Sequence, residues 1–149
     1  MNKGASPVIG EVNPSDAWKI LSEDADARLI DVRTSAEWGF VGVPDLTGLG
    51  HSLVCVEWAG FPGMSKNARF AAEVEEALAG HIPSKFLFLC RSGARSLSAA
   101  ALVLDHFAQK GIEVECLNVA EGFEGDLDGQ KHRGTTNGWK SRGLAWRQS

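Results

Sequence analysis

Two apolar rhythms alternate along this 149-residue chain. Short apolar runs at "ARLIDV" (Ala27–Val32), "HSLVCVEW" (His51–Trp58), "FLFLC" (Phe86–Cys90) and "VECLNV" (Val114–Val119) predict strands. "FLFLC" is apolar on both faces, which predicts a central strand. Between these runs the apolar spacing lengthens to a helical period. "VNPSDAWKIL" predicts a helix with Asn13 as N-cap, Pro14 in the first turn and Asp16 at the positive dipole end. "TSAEWGF" predicts a short helical turn capped by Thr34 or Ser35. "SKNARFAAEVEEALAG" predicts an amphipathic helix with Phe70, Val74 and Leu78 on one stripe and Gly80 as its stop. "ARSLSAAALVLDHFAQKG" predicts a more apolar helix ended by Gly111. The glycine-rich tail from Ala120 predicts a loop and then a short helix near "NGWKSRGLAW". Strand and helix alternate without a repeat or a linker. The expectation is one α/β domain over residues 1–149, built on a mostly parallel sheet.

Composition narrows the function classes. Net charge is -4, with no run of basic residues, which argues against a nucleic-acid binder. No apolar run approaches the roughly 20 residues of a membrane span. "MNKGASPVIGEVNPSD" lacks the apolar core of a secretory signal, so a cytoplasmic location is expected. The three cysteines have no pairing pattern, and Cys55 and Cys116 sit in strand-like surroundings as expected buried small hydrophobes. His51, His81, His106 and His132 are scattered, with no ligand spacing and no nucleotide fingerprint nearby. No cofactor and no metal are expected.

Cys90 is set apart by the residues after it. It ends a strand, and "RSGARS" then places two arginines, two serines and a glycine before a helix. A cysteine acts as a nucleophile through its thiolate, which helix N-termini and adjacent cations stabilise. Gly93 permits a tight turn in which the amides from Arg91 to Ser96 converge on an anion. Other polar residues predicted at strand C-termini are Asp31 with Arg33, Glu57, and Asn118 with Glu121. Open α/β sheets build their sites at that edge. Two chemistries fit such a nest: phosphate-ester hydrolysis through phosphocysteine, and sulfur transfer through a persulfide. Cysteine phosphatases place five residues between cysteine and arginine. Here four residues, Arg91 to Ala94, separate Cys90 from Arg95, and the smaller ring suits one outer sulfur better than a tetrahedral phosphate.

"CRSGARS" resembles the active-site loop of the rhodanese family of sulfurtransferases. "LIDVRTSAEW" (Leu29–Trp38) is similar to the family's Asp-Val-Arg segment, "EVNPSDAWKIL" to its opening strand and helix, and "VAEGFEG" with "GWKSRGLAW" to its ending. The resemblance implies a rhodanese-like α/β fold: a central, mostly parallel five-stranded sheet flanked by helices on both faces. It implies a single-domain thiosulfate sulfurtransferase with a persulfide on Cys90. Arg91, Ser92, Gly93, Ala94, Arg95 and Ser96 would form the loop, with Arg91 and Arg95 binding the anionic donor. Asp31 and Arg33 would support it from below, Arg33 pairing with Glu37 and Asp31 with backbone or an arginine. The implied partners are a thiosulfate-like small-molecule donor and a thiol, cyanide or protein acceptor, with no nucleic acid and no membrane. The alternatives are a non-catalytic binding module of the same fold and a cysteine phosphatase or arsenate-type reductase.

Four places depart from the family's pattern, one of them Glu121, which stands where a small residue is usual. Gly42 stands where a histidine is usual. In "EWAGFPGMSKNARF", Trp58, Phe61 and Met64 are candidates for an apolar wall beside the loop. "GDLDGQKHRGTTNGWK" is an insertion that reads equally as a lid, a partner surface or a plain loop.

Overall fold

Strand runs that are apolar at every position must bury both faces, and that requirement sets the layers. The computed structural model describes residues 8–60 and 63–148. Its elements, in chain order, are β1 (Gly10–Val12), α1 (Pro14–Glu23), β2 (Ala27–Asp31), α2 (Ser35–Phe40), β3 (Val43–Pro44), β4 (Val54–Cys55), β5 (Ala59–Gly60), β6 (Ser65–Lys66), α3 (Phe70–Ala77), β7 (Lys85–Leu89), α4 (Ala94–Gln109), β8 (Glu115–Val119) and β9 (Trp146–Arg147). Five strands form the central sheet in the order β1-β8-β7-β2-β4. Every neighbouring pair in it is parallel. The α/β architecture expected from the sequence is borne out, with β7 at the centre.

Side chains along a strand alternate between faces. Phe86, Phe88 and Cys90 therefore enter one core with Ile30, under α3 and α4. Leu87 and Leu89 enter the other with Leu29, under α1 and the C-terminal segment that carries Trp139. The helix starts follow local chemistry. Asn13 Oδ1 accepts the Asp16 amide at 2.8 Å and Pro14 occupies the first turn of α1. Thr34 and Glu37 form a reciprocal capping box on α2.

Three expectations are corrected. The segment around Cys55 is a strand of two residues at the sheet edge, and Cys55 is exposed rather than buried. Alternation sends Val54 and Val56 into the core, so Cys55 takes the other face, where the edge strand has no cover. Second, residues 137–146 form no helix. One helical turn, with the Arg142 amide on the Gly138 carbonyl, gives way to β9, which pairs antiparallel with β3. The glycines at 138 and 143, both at positive φ, interrupt any longer helix. Third, half-buried Trp58 packs edge-on against Phe70 at the margin of the α3 core and does not line the cavity beside the cysteine loop. Phe61 lies outside the described residues.

Candidate active site

Cys90 comes directly after the last residue of β7, and period-2 alternation turns its side chain toward α4, which begins four residues later. The residue is 1% exposed. Its Sγ accepts the Gly93 amide at 3.1 Å and lies 3.2 Å from the Ser96 hydroxyl. Gly93 has φ +117°, a conformation that folds the turn back over the sulfur and that side chains resist. The first amides of α4 have no partner within the helix and present its positive end to the same place. The loop thus supplies hydrogen-bond donors and a favourable dipole to a sulfur anion.

The loop is held from behind by backbone. Cys90 O accepts the Phe123 amide at 2.8 Å, and Arg91 O accepts the Glu124 amide at 3.0 Å. The approach is so close that a Cβ on Gly122 would stand 2.5 Å from the Arg91 carbonyl, which only glycine tolerates.

Asn118 completes the sulfur's surroundings. Its Oδ1 accepts the Ser96 hydroxyl at 2.6 Å, and its Nδ2 donates to Gly93 O at 3.1 Å. Ser96 has one proton to give. With a neutral thiol it donates to Asn118 and can accept S–H; with a thiolate it can turn to Sγ. Asn118 is 2% exposed and pairs in register with Phe88. Sequence reasoning placed Asn118 at a strand end without a role. The missed signal was parity: Cys116 and Asn118 share the face of β8 that lies under α4.

The two loop arginines differ. Arg91 is exposed at the mouth. Arg95 makes a two-pronged ion pair with Glu37, Nη1 to Oε1 at 2.8 Å and Nη2 to Oε2 at 2.9 Å. Half-burial alone would raise the Glu37 carboxyl; the Arg95 fork, together with the Thr34 amide, outweighs it and holds the group at about 2. Glu37 raises Arg95 in return. The expected Arg33–Glu37 pair is therefore corrected. Alternation sends Arg33 to the opposite face of the sheet, while the capping box aims Glu37 at the loop.

Arg33 pairs with Asp31 instead, in a fully buried ion pair at 2.6 Å. Arg33 also donates to Gly42 O at 2.8 Å and lies 4.4 Å over the Phe123 ring. Asp31 is in register with Leu89, so the pair braces the strand end next to Cys90 from the far side of the sheet. Glu57 accepts the Ser35 amide at 2.7 Å, and Glu121 binds Arg142 and the Gly138 amide. Neither contacts Cys90 Sγ. Cys116 is buried, and burial pushes its thiol up to about 12.

A cavity of about 880 Å³ opens over the loop, with Arg91 and Arg95 on one wall and the 124–133 segment on another. Glu37, Val41 and Met64 close its sides. Met64 thus lines the same cavity as the loop arginines.

The Glu37 pair carries a pH prediction. Its carboxyl ordinarily titrates near 4.5 and here near 2. A lowered folded-state pKa contributes stability that is complete above about 4.5 and is lost as pH falls toward 2. The lowering sets an upper bound of about 3 kcal/mol, and solvent screening of this partly exposed pair brings the expected contribution down to about 1–3 kcal/mol. Urea unfolding between pH 2 and 6 should lose that increment in the wild type and show a flatter profile in Glu37→Gln. Parallel profiles would refute the pairing.

No family model matches the chain. The uncharacterized protein RP600 of Rickettsia prowazekii is 30% identical over 139 residues, 93% of this chain and 98% of that protein. The solved structure of Rv0390 from M. tuberculosis is 45% identical with a TM-score of 0.83, covering 97% of this chain and 100% of that one. The polysulfide-sulfur transferase homodimer of Wolinella succinogenes is 17% identical with a TM-score of 0.53, covering 95% of this chain and 80% of that one. At that identity the likeness is one of fold, and the fold is rhodanese-like. Among the described residues no helix is long and apolar enough to cross a membrane.

Proposed function

This chain belongs to the family of RP600 and Rv0390, and from the geometry of its cysteine loop we propose that it is a rhodanese-type sulfurtransferase. The observation that carries the reading is the Cys90 sulfur, which ends a central strand inside a nest made by the Gly93 amide, the Ser96 hydroxyl and the start of α4.

The reaction has two steps. The Cys90 thiolate attacks the outer sulfur of thiosulfate, a new S–S bond forms, and sulfite leaves with the electron pair of the broken bond. An acceptor thiolate or cyanide then attacks the outer sulfur of the persulfide. The Cys90–sulfur bond breaks and its electron pair returns to Cys90 as thiolate. The nest stabilises the anion on sulfur in both resting forms. Arg91 is placed to meet the donor's sulfonate end, and Arg95 can do so only by sharing its fork with Glu37. Polysulfide, the donor class named for the Wolinella protein, is a second candidate.

Two features weigh against phosphatase chemistry. The ring from Cys90 to Arg95 is one residue short, and the arginine that would hold a phosphate is already engaged by a carboxylate. A purely binding role leaves the hydrogen-bonded sulfur without a use. The reductase reading needs a second thiol, and buried Cys116 is a poor one.

The test is intact mass after incubation with thiosulfate or polysulfide, and then with cyanide. The expected result is a gain of one sulfur on the Cys90 peptide, lost to cyanide with release of thiocyanate. An unchanged mass with either donor would overturn the reading.

A further inference from the structure

The cavity over the loop is larger than the proposed donor requires, and its charges are not those of a donor site alone. About 880 Å³ is in the range of pockets that hold organic ligands, whereas thiosulfate or cyanide would fill a small part of it. The insertion "GDLDGQKHRGTTNGWK" contributes Lys131 and Arg133 to the lining of the cavity that Arg91 also lines. Among the described residues none of these three cations pairs with a carboxylate. Arg95 is neutralised by Glu37, and Glu124 is the other carboxylate on the wall. A chain of net charge -4 thus gathers an excess of unpaired positive charge here. Leu127, 50% exposed, lines the same cavity, as do the apolar side chains of Val41 and Met64.

The insertion is built rather than slack. Asp128 Oδ1 accepts the amides of Gln130 at 2.8 Å and His132 at 2.9 Å, and Oδ2 accepts the Thr135 hydroxyl at 2.7 Å. The Asp128 amide donates to His132 O at 2.8 Å, closing the turn. Arg133 Nη1 donates to Gly125 O at 2.7 Å, which fixes the guanidinium head. Lys131 sits in this turn at φ +63°, where glycine or asparagine fits with less strain. Its ammonium pairs with no carboxylate among the described residues, and the residue lines the cavity.

We infer that the cavity is the acceptor site for a low-molecular-weight thiol that carries two or more anionic groups. The inference rests on the sulfurtransferase reading. The thiolate would reach the persulfide on Cys90, the stem would lie along Leu127, and the anionic groups would meet Arg91, Lys131 and Arg133. The chemistry is the second step above: the acceptor's sulfur gains the outer sulfur, and Cys90 leaves as thiolate.

The experiment has two arms on the full chain. In the first, persulfidated protein is discharged by glutathione, mercaptosuccinate, 2-mercaptoethanol or cysteamine, with each rate corrected for thiolate fraction. The two anionic thiols are expected to be at least about tenfold faster than neutral 2-mercaptoethanol, and cationic cysteamine slower still. In Lys131→Glu the ratio of glutathione to 2-mercaptoethanol should fall about tenfold. Equal ratios in wild type and variant, with both folded by thermal melting, would overturn the inference. In the second arm, S-methylglutathione, a thioether that cannot accept sulfur, is titrated into wild type and variant. Binding that is weakened at least about tenfold by Lys131→Glu supports the site, and equal binding or none overturns it. A protein that binds the thioether yet never gains sulfur on Cys90 would remove the sulfurtransferase reading while leaving the anionic pocket.

Discussion

Cys90→Ser is expected to abolish sulfur transfer, with at least about a thousandfold loss of thiocyanate formation and no gain of sulfur in the mass spectrum. A serine hydroxyl at this place remains protonated, and its oxygen cannot carry a transferable sulfane sulfur. The fold should scarcely notice. The replacement is nearly isosteric, and the groups that hold Sγ, the Gly93 amide and the Ser96 hydroxyl, can bond an oxygen as well. The change in unfolding free energy should stay within about 1 kcal/mol. Transfer that persists in a well-folded variant would remove Cys90 from the chemistry. A variant that also unfolds is controlled by Cys90→Ala, which keeps the core and lacks the oxygen.

The largest stability effect is expected from Arg33→Ala. Arg33 and Asp31 are both fully buried, and the pair is joined through Nε at 2.9 Å and Nη2 at 2.6 Å. Removing the guanidinium leaves a buried carboxylate with only the amide of residue 33 still donating to it, strips Gly42 O of its partner and empties the space over Phe123. Breaking such a pair from one side costs about 3–5 kcal/mol. The double variant Asp31→Leu with Arg33→Met removes both charges and should recover most of that loss. Urea unfolding of the two variants against wild type reads the difference. A single variant within about 1 kcal/mol of wild type would show that the pair contributes little, and a double variant as unstable as the single one would assign the loss to packing instead.

The parts of this molecule that were legible along the chain are those whose causes are local. Asn13 and Pro14 start α1 through contacts three residues apart, and Thr34 with Glu37 does the same for α2. The apolar run at Phe86–Leu89 demanded burial on both sides, so a central position resulted. The loop after Cys90 was legible for the same reason: the strand end, Gly93 and the first turn of α4 are contiguous.

The errors lie where distant segments meet. Glu37 and Arg95 are 58 positions apart, whereas Arg33 is close to Glu37 along the chain. Which arginine Glu37 meets depends on strand parity at β2 and on the direction the α2 cap imposes. Ser96 and Asn118 lie 22 positions apart and meet because β8 is in register with β7. The sequence neighbours of Cys55 are apolar, but burial is decided by whether a layer covers that face of the edge strand.

The α/β rhythm, the helix caps and a cysteine at a strand end before a tight cationic turn are all written in the order of residues, because each depends on bonds and periodicities within one segment. The charge of the site is not, and it emerges only when the segments pack. Arg95 is quenched by Glu37, while Arg91, Lys131 and Arg133 are left facing a common cavity. A side chain's field acts through space, and only the packed sheet and the 124–133 segment set those distances.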